Sequence, residues 1–299
     1  MTAIFTDSAR EAEFRRQGFV IVRLLSAQAA AALRGRLEEM TPSASGDRRL
    51  VQSFCTPDGN YRRRVDALGS SAVEAPLLAL MNGYRLIATG IMTKPPGGSD
   101  MALHRDRTML AEAEQIPVNV WCALVDIDDS YGNLILLPGS HTLGNIEATG
   151  ARRFYESYAD QLMPLCVSYP LRAGEAILFD NKLLHGSRSN RSSAPRPVLR
   201  STTAPKRSRL VHYKLEPADG GRRFELLDVE HDGALAHSPD DFAAGTVAAP
   251  TVGFVENRNR HISLEECRNA VAAAGFPVQP LRRSRLADAM GSLRALVAS

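Results

Sequence analysis

Few features of this chain point to cross-linking, membranes or polyanions. Its 299 residues include only four cysteines: Cys55, Cys122, Cys166 and Cys267. They are widely spaced with no CxxC pair, which excludes a zinc ribbon and leaves them as reduced, structural thiols. No run of about 18 apolar residues occurs without charge, and the polar segment Met1 to Gln17 lacks the apolar stretch of a signal peptide. The expectation is a cytoplasmic protein with no membrane partner. An excess of one charge is also missing, since 36 basic against 33 acidic residues leave a formal +3. That balance argues against a nucleic-acid partner and for a small-molecule substrate. Aromatic residues make up 6% of the chain, with a single tryptophan, Trp121. Apolar content is not scarce: at 44% it suffices for a sizeable core.

Residues 18–25 (GFVIVRLL) are rich in β-branched side chains and read as a strand. Ser26 then caps a helix with Leu33, Leu37 and Met40 on one face. From Thr41 to about Arg64 the chain turns polar and aperiodic and reads as a surface loop. Between residues 84 and 215 short β-like runs follow one another: RLIATGIMT, IPVNVWCALVDI, NLILLP, LCVSYPL, EAILFD, VLRSTT and RLVHYKL. Turn residues separate them, the pattern of a β-sandwich or jelly roll. Within one run Val118, Val120, Cys122 and Leu124 alternate with Asn119, Trp121 and Ala123, so both faces of that strand should be buried. Residues 216–260 read as loop, Ser263-x-x-Glu266 as a capping box, and Leu286, Met290, Leu293 and Val297 as a final amphipathic helix. No repeat or flexible linker divides the chain. We therefore expect one domain over residues 1–299, mainly β with flanking helices: a β core at about 84–215 and an extension over 216–299 that supplies a lid and packing helices. The sequence leaves a homodimer open.

Two of the seven histidines carry chemistry. His104 lies in LHRDRT, two residues before Asp106, and His185 in LLHGSRSN closes a β-like run. On an extended strand residues two apart share a face, so His104 and Asp106 can reach one ion together while His185 arrives from a second strand. Two imidazoles and one carboxylate on one face of an octahedral ion leave the opposite positions open, the ligand set of iron(II) oxygenases. Alone, an HxD tripeptide is more often structural. His104-Arg105-Asp106 also spells the HRD of a protein-kinase loop, but that loop's asparagine would fall on Ala111, and no DFG or glycine-rich phosphate loop accompanies it. The metal reading gains from Gly186, Ser187 and Asn190, and from Arg196 eleven positions after His185. An arginine suits the remote carboxylate of a keto diacid that chelates the metal.

Four ordered segments, FRRQGFVIVRLL, KPPGGSDMALHRD, VWCALVDIDDSYGNLILLPGSH and LLHGSRSNRSSAPRPVLR, make the chain resemble the phytanoyl-CoA dioxygenase family of Fe(II)/2-oxoglutarate oxygenases, over roughly residues 13–215. The resemblance implies a double-stranded β-helix (jelly roll, cupin-like) and Fe(II) held by His104, Asp106 and His185. It implies that 2-oxoglutarate and O₂ are co-substrates, with Arg196 and Ser187 on the far carboxylate and Arg200 the runner-up anchor. It also places Trp121, with Asn119 beside it, on a strand that lines the keto-acid pocket, although a plain core tryptophan explains Trp121 equally. The family's NGPL-like stretch is Gly132-Asn133-Leu134 here, without the proline, and no motif is recognised after about Glu216.

The remaining candidates have simpler explanations. His141 in PGSH reads as a turn residue rather than a ligand, and His212, His231, His237 and His261 as surface or structural residues. The basic run from Lys182 to Arg209 is more simply a solvated face than a binding patch. Tyr155 and Tyr158 could belong to an insertion over the active-site mouth or to a surface helix. The expected activity is hydroxylation of a small-metabolite C–H bond in a biosynthetic tailoring pathway, with release of succinate and CO₂. Desaturation or cyclisation, and a catalytically silent β-helix that binds a ligand or partner, stay open. Asp106 fills the position that related halogenases leave small, and the short His185-to-Arg196 spacing disfavours the demethylase branches.

Overall fold

The computed structural model describes residues 2–40, 50–112, 114–151, 153–229, 235, 239–244, 247 and 249–278. The expected helix at Leu286, Met290, Leu293 and Val297 lies outside them, as do His231, His237 and residues 41–49.

Two antiparallel sheets face each other. The larger runs in the order β1-β8-β5-β10-β3-β2: β1 (Phe19–Arg23), β8 (Glu175–Asp180), β5 (Val118–Ala123), β10 (Arg196–Pro205), β3 (Tyr84–Lys94) and β2 (Val51–Gln52). The smaller is β4 (Met101–His104), β9 (His185–Ser187), β6 (Leu134–Leu136) and β7 (Val167–Ser168). This is the double-stranded β-helix, or jelly roll, expected from the sequence.

Alternation decides the layering. Val118, Val120, Cys122 and Leu124 pack outward against α1 (Ser8–Gln17), α2 (Ala27–Met40) and α3 (Gly59–Leu78), together with Phe14, Leu33, Leu37, Val65 and Leu77. Trp121 and Ala123 point the other way, into the layer between the sheets, where they meet Phe179, Val198, Leu134 and Leu136. Every residue of β5 is buried, as two-sided packing requires. The outer face of the smaller sheet, Leu103, Ile135 and Leu137, packs on Tyr155, on Leu162 of the one-turn helix α4 (Ala159–Leu162), and on Cys267 and Val271 of a C-terminal helix. That helix (Leu264–Ala273), which follows the short α5 (Pro239–Ala244), is α6, and it starts with the expected Ser263/Glu266 capping box.

Two expectations are corrected. The polar stretch ending at Arg64 is not all loop. Asp58 accepts hydrogen bonds from Asn60 N (2.9 Å) and Tyr61 N (3.1 Å) and caps α3, which continues to Leu78. Gly69 lets α3 lie against β3, since a Cβ there would stand 2.4 Å from Thr89 Cγ2. Residues 216–260 are not all loop either. β11 (Val211–Leu215), β12 (Arg223–Asp228) and β13 (Thr251–Glu256) form a third, antiparallel sheet whose inner face buries Val211, Tyr213, Phe224 and Leu226. All four cysteines are free, with Cys122 and Cys267 buried. Among the described residues no helix is long and apolar enough to cross a membrane.

Candidate metal centre

β4 and β9 pair so that His104 and His185 stand directly opposite each other. Gly186 permits this approach: a Cβ on it would lie 2.6 Å from Met101 O and 3.2 Å from Ala102 O. β4 ends at His104, so Asp106 does not reach the site as the next inward residue of a strand. It arrives from the loop that follows. The ligand atoms of His104, Asp106 and His185 nevertheless lie within 4.8 Å of one another, and the imidazole centroids are 4.3 Å apart.

Hydrogen bonds orient each donor. His104 Nδ1 is 2.9 Å from Ala102 O and His185 Nδ1 is 2.9 Å from Leu183 O. Each backbone oxygen can only accept, so each Nδ1 carries the proton and Nε2 offers its lone pair to the centre. Burial, then the neighbouring His104, pushes the His185 pKa down to about 4, which keeps that ring neutral at ordinary pH. Asp106 Oδ2 accepts from Asn119 Nδ2 at 2.7 Å and from Arg200 Nη2 at 2.9 Å. Burial opposes its charge, but Arg200 and then the two imidazoles outweigh burial and hold the carboxyl down at about 2. Asn119 is itself fixed, donating to Asn181 Oδ1 (3.1 Å) and accepting from Thr202 Oγ1 (2.8 Å). Two imidazole nitrogens and an ionised carboxylate are the donor chemistry a ferrous ion accepts with positions to spare.

Arg105, between His104 and Asp106 in sequence, is buried and points away from the centre. Its guanidinium donates to Ser140 O and Leu143 O, each at 2.6 Å, and to Gly144 O at 3.1 Å. It also lies 4.7 Å from the Phe154 ring centroid, and its backbone N–H donates to Tyr155 Oη at 3.2 Å. Tyr155 and Tyr158 are therefore interior residues behind the ligand strand and do not form a flap over the mouth.

Arg196 opens β10 with only 1% of its surface exposed. Its guanidinium lies over Trp121, 4.9 Å from the ring centroid, and its Nε and Nη1 are buried without a hydrogen-bond partner. Polar nitrogens left bare at this depth are costly and fit the carboxylate of a bound diacid. Ser187, on the same strand as His185, accepts from Lys94 Nζ at 2.7 Å. Asn190 donates to Lys94 O and Ala194 O and folds the β9–β10 loop against the Pro95–Gly98 turn. Arg200, expected only as a runner-up anchor, is committed to Asp106.

Three features near the site escaped the sequence: Lys94, and the supports Asn181 and Thr202. Lys94 follows Met92 by the two-residue step of β3, which is the signal that it faces inward. His141 behaves as a structural residue, its Nε2 3.1 Å from Arg15 O. His212 is buried beside Thr149. The basic run is not one solvated face, since Arg196 is buried, Arg200 pairs with Asp106 and Arg209 pairs with Asp228. A cleft of about 610 Å³ lined by Asn145, Phe154, Asn257 and Arg260 lies away from the triad and contains none of its residues.

The chain matches the family described as Phytanoyl-CoA dioxygenase (PhyH) over residues 14–198. Dioxygenase aneA of Aspergillus aculeatus is 24% identical over 157 residues, 42% of this chain and 49% of that protein. The chain thus matches about half the length of its curated relatives. Among solved structures, the non-heme alpha ketoglutarate dependent carbocyclase SnoK from nogalamycin biosynthesis aligns with TM-score 0.53 at 18% identity, covering 84% of this chain and 96% of that one. The epimerase SnoN in complex with Fe3+, alpha ketoglutarate and nogalamycin RO aligns with TM-score 0.51 at 21% identity, covering 68% and 86%. At these identities the two likenesses establish the shared fold. With more than half of its length matched, the chain belongs to the phytanoyl-CoA dioxygenase family, whose metal is Fe(II) and whose co-substrates are 2-oxoglutarate and O₂.

Proposed function

We propose that the protein is an Fe(II)/2-oxoglutarate-dependent oxygenase that hydroxylates a C–H bond of a small metabolite in a tailoring step, with His104, Asp106 and His185 as the metal ligands. One observation carries the reading: two imidazoles whose Nδ1 atoms face backbone carbonyls and an ionised carboxylate converge on one point, and the layer between the same two sheets also holds a buried, unpartnered guanidinium. When bound, the metal with its keto acid and O₂ supplies the oxidising power, at the cost of one 2-oxoglutarate converted to succinate and CO₂.

The residues of the chain supply the rest. The Nδ1–H groups of His104 and His185 are given to backbone carbonyls, so neither ring can turn its donor nitrogen away. Asn119 and Arg200 hold the Asp106 carboxylate through Oδ2, the oxygen 3.7 Å from His185 Nε2. Arg196, pressed on Trp121, meets the remote carboxylate, with Ser187 beside it. Phe179, 4.7 Å from the His185 ring, and the apolar layer behind it limit water on that side. Screening of this kind on one side helps direct the oxidant to the substrate rather than to the protein.

The test is anaerobic reconstitution of metal-free protein with Fe(II) and 2-oxoglutarate. A metal-to-ligand charge-transfer band should develop, and a silent β-helix would give none. Screening metabolites for substrate-dependent succinate release, with product masses, then distinguishes hydroxylation (gain of one oxygen) from desaturation or cyclisation (loss of two hydrogens).

A further inference from the structure

Lys94 and Arg196 are cross-strand partners, the last residue of β3 against the first of β10. Each is 1% exposed. Lys94 Nζ donates to Ser187 Oγ at 2.7 Å and to Arg188 O at 2.5 Å, both neutral acceptors. Arg196 retains a bare Nε and Nη1. No ion pair among the described residues includes either cation. Asp100, whose Oδ1 accepts from Ser189 N at 2.6 Å, acts on Lys94 only as a more distant charge. Two like charges enclosed together without an anion are among the most expensive arrangements a folded chain can carry. Burial, followed by Arg196, already pushes the Lys94 ammonium down to about 8.

We propose that Lys94 is the second cation of the co-substrate site, donating to Ser187 Oγ so that the serine hydroxyl hydrogen turns toward the bound carboxylate, and adding its charge to that of Arg196. A serine that accepts from an ammonium has its own hydrogen free to give, whereas an unassisted serine can point either way. The paired charge favours a keto acid with a remote carboxylate over one without it. The proposal deepens the oxygenase reading and rests on it. The rival is that Lys94 only ties β9 to β3 as a structural strut.

The deciding experiment uses Zn(II)-loaded protein, which binds without turnover, and follows the fluorescence of Trp121, the sole tryptophan of the chain and the ring beneath Arg196. Affinities are measured for 2-oxoglutarate and for 2-oxovalerate, which has the same carbon count without the second carboxylate. Calorimetry checks both values. Lys94→Met should weaken 2-oxoglutarate by roughly tenfold to a hundredfold, the range for a buried charge-assisted contact, and leave 2-oxovalerate within a few-fold. If Lys94→Met does not fold, Lys94→Gln takes its place, retaining a donor for Ser187 without the charge, and should lower the ratio of the two affinities in the same direction. Lys94→Arg should restore part of that ratio. Equal losses for both acids would make Lys94 a strut, and unchanged affinities would remove it from the site; either overturns the proposal. Wild-type protein that prefers neither acid overturns the proposal and the oxygenase reading together, and so differs from failure of the proposal alone.

Discussion

At one corner between the sheets Asp106 is already held by Arg200 and Asn119, and both imidazoles have carbonyl partners. At another corner Arg196 and Lys94 are cross-strand neighbours, and no ion pair among the described residues includes either. The first corner is electrically complete before anything binds and owes its geometry to the chain. The second is left short of an anion, so a ligand completes it. The metal corner should therefore fail by losing its shape, and the cation corner by losing its selectivity for an anion.

The largest effect should come from Asp106→Ala, which removes a ligand and strands Arg200. Succinate release should fall to background, and residual turnover near the wild-type level would dismantle the metal corner as described. Arg196→Leu should weaken 2-oxoglutarate by on the order of a hundredfold, in the range for truncating a buried charge pair, while Zn(II) affinity measured by competition with a chromophoric chelator stays close to wild type. A matching loss of metal affinity would mean that the two corners are not separable, and an unchanged co-substrate affinity would remove Arg196 as the anchor. Asn119→Ala should reduce metal affinity about tenfold, the lower end of what outer hydrogen-bonding partners are worth, and an equal effect on co-substrate alone would place Asn119 in the wrong corner. The smallest effect concerns protons. His185 ordinarily titrates near 6.5 and is pushed to about 4 in the fold, so between these values the unfolded chain binds a proton that the folded chain refuses. The metal-free protein should thus lose stability as pH falls through that window, by on the order of 1 kcal/mol per unit from this residue. Thermal melts of His185→Gln should show a shallower slope, and an identical slope would assign the effect elsewhere.

The two corners were not equally legible from sequence. His104, Asp106 and His185 stand in a recognisable spacing, and the alternation through Val118–Leu124 announced a strand buried on both faces. Lys94 was concealed by the KPPGG turn it opens, because a lysine before two prolines looks like a solvated loop residue. Only the two-residue step from Met92 shows that it faces inward. The start of α3 was obscured because its first residues, Gly59 to Arg64, continue a polar stretch without apolar periodicity. Gly69 is present because the helix must touch β3, and such a contact between distant segments has no local signature. β12 and β13 alternate weakly, with the half-buried Glu225 on the central strand and the exposed Glu256 ending the edge strand, so the pairing of β12 with β11 and β13 emerges only from tertiary contacts. Arg105 looked like the free middle residue of a motif, and nothing near it in sequence reveals the carbonyls of residues 140–144.

That middle arginine has a consequence for how the protein can change. Arg105 is the spacer between His104 and Asp106. Here the spacer is bolted to a loop, which is in turn fastened to the C-terminal segment by paired side-chain amides: Asn145 with the backbone of Arg260, and Asn259 with that of Ile146. Loss of the Arg105, Asn145 or Asn259 side chain should loosen the backbone that carries both His104 and Asp106, so descendants of this chain should alter the spacer, the loop and the tail together or leave all three alone.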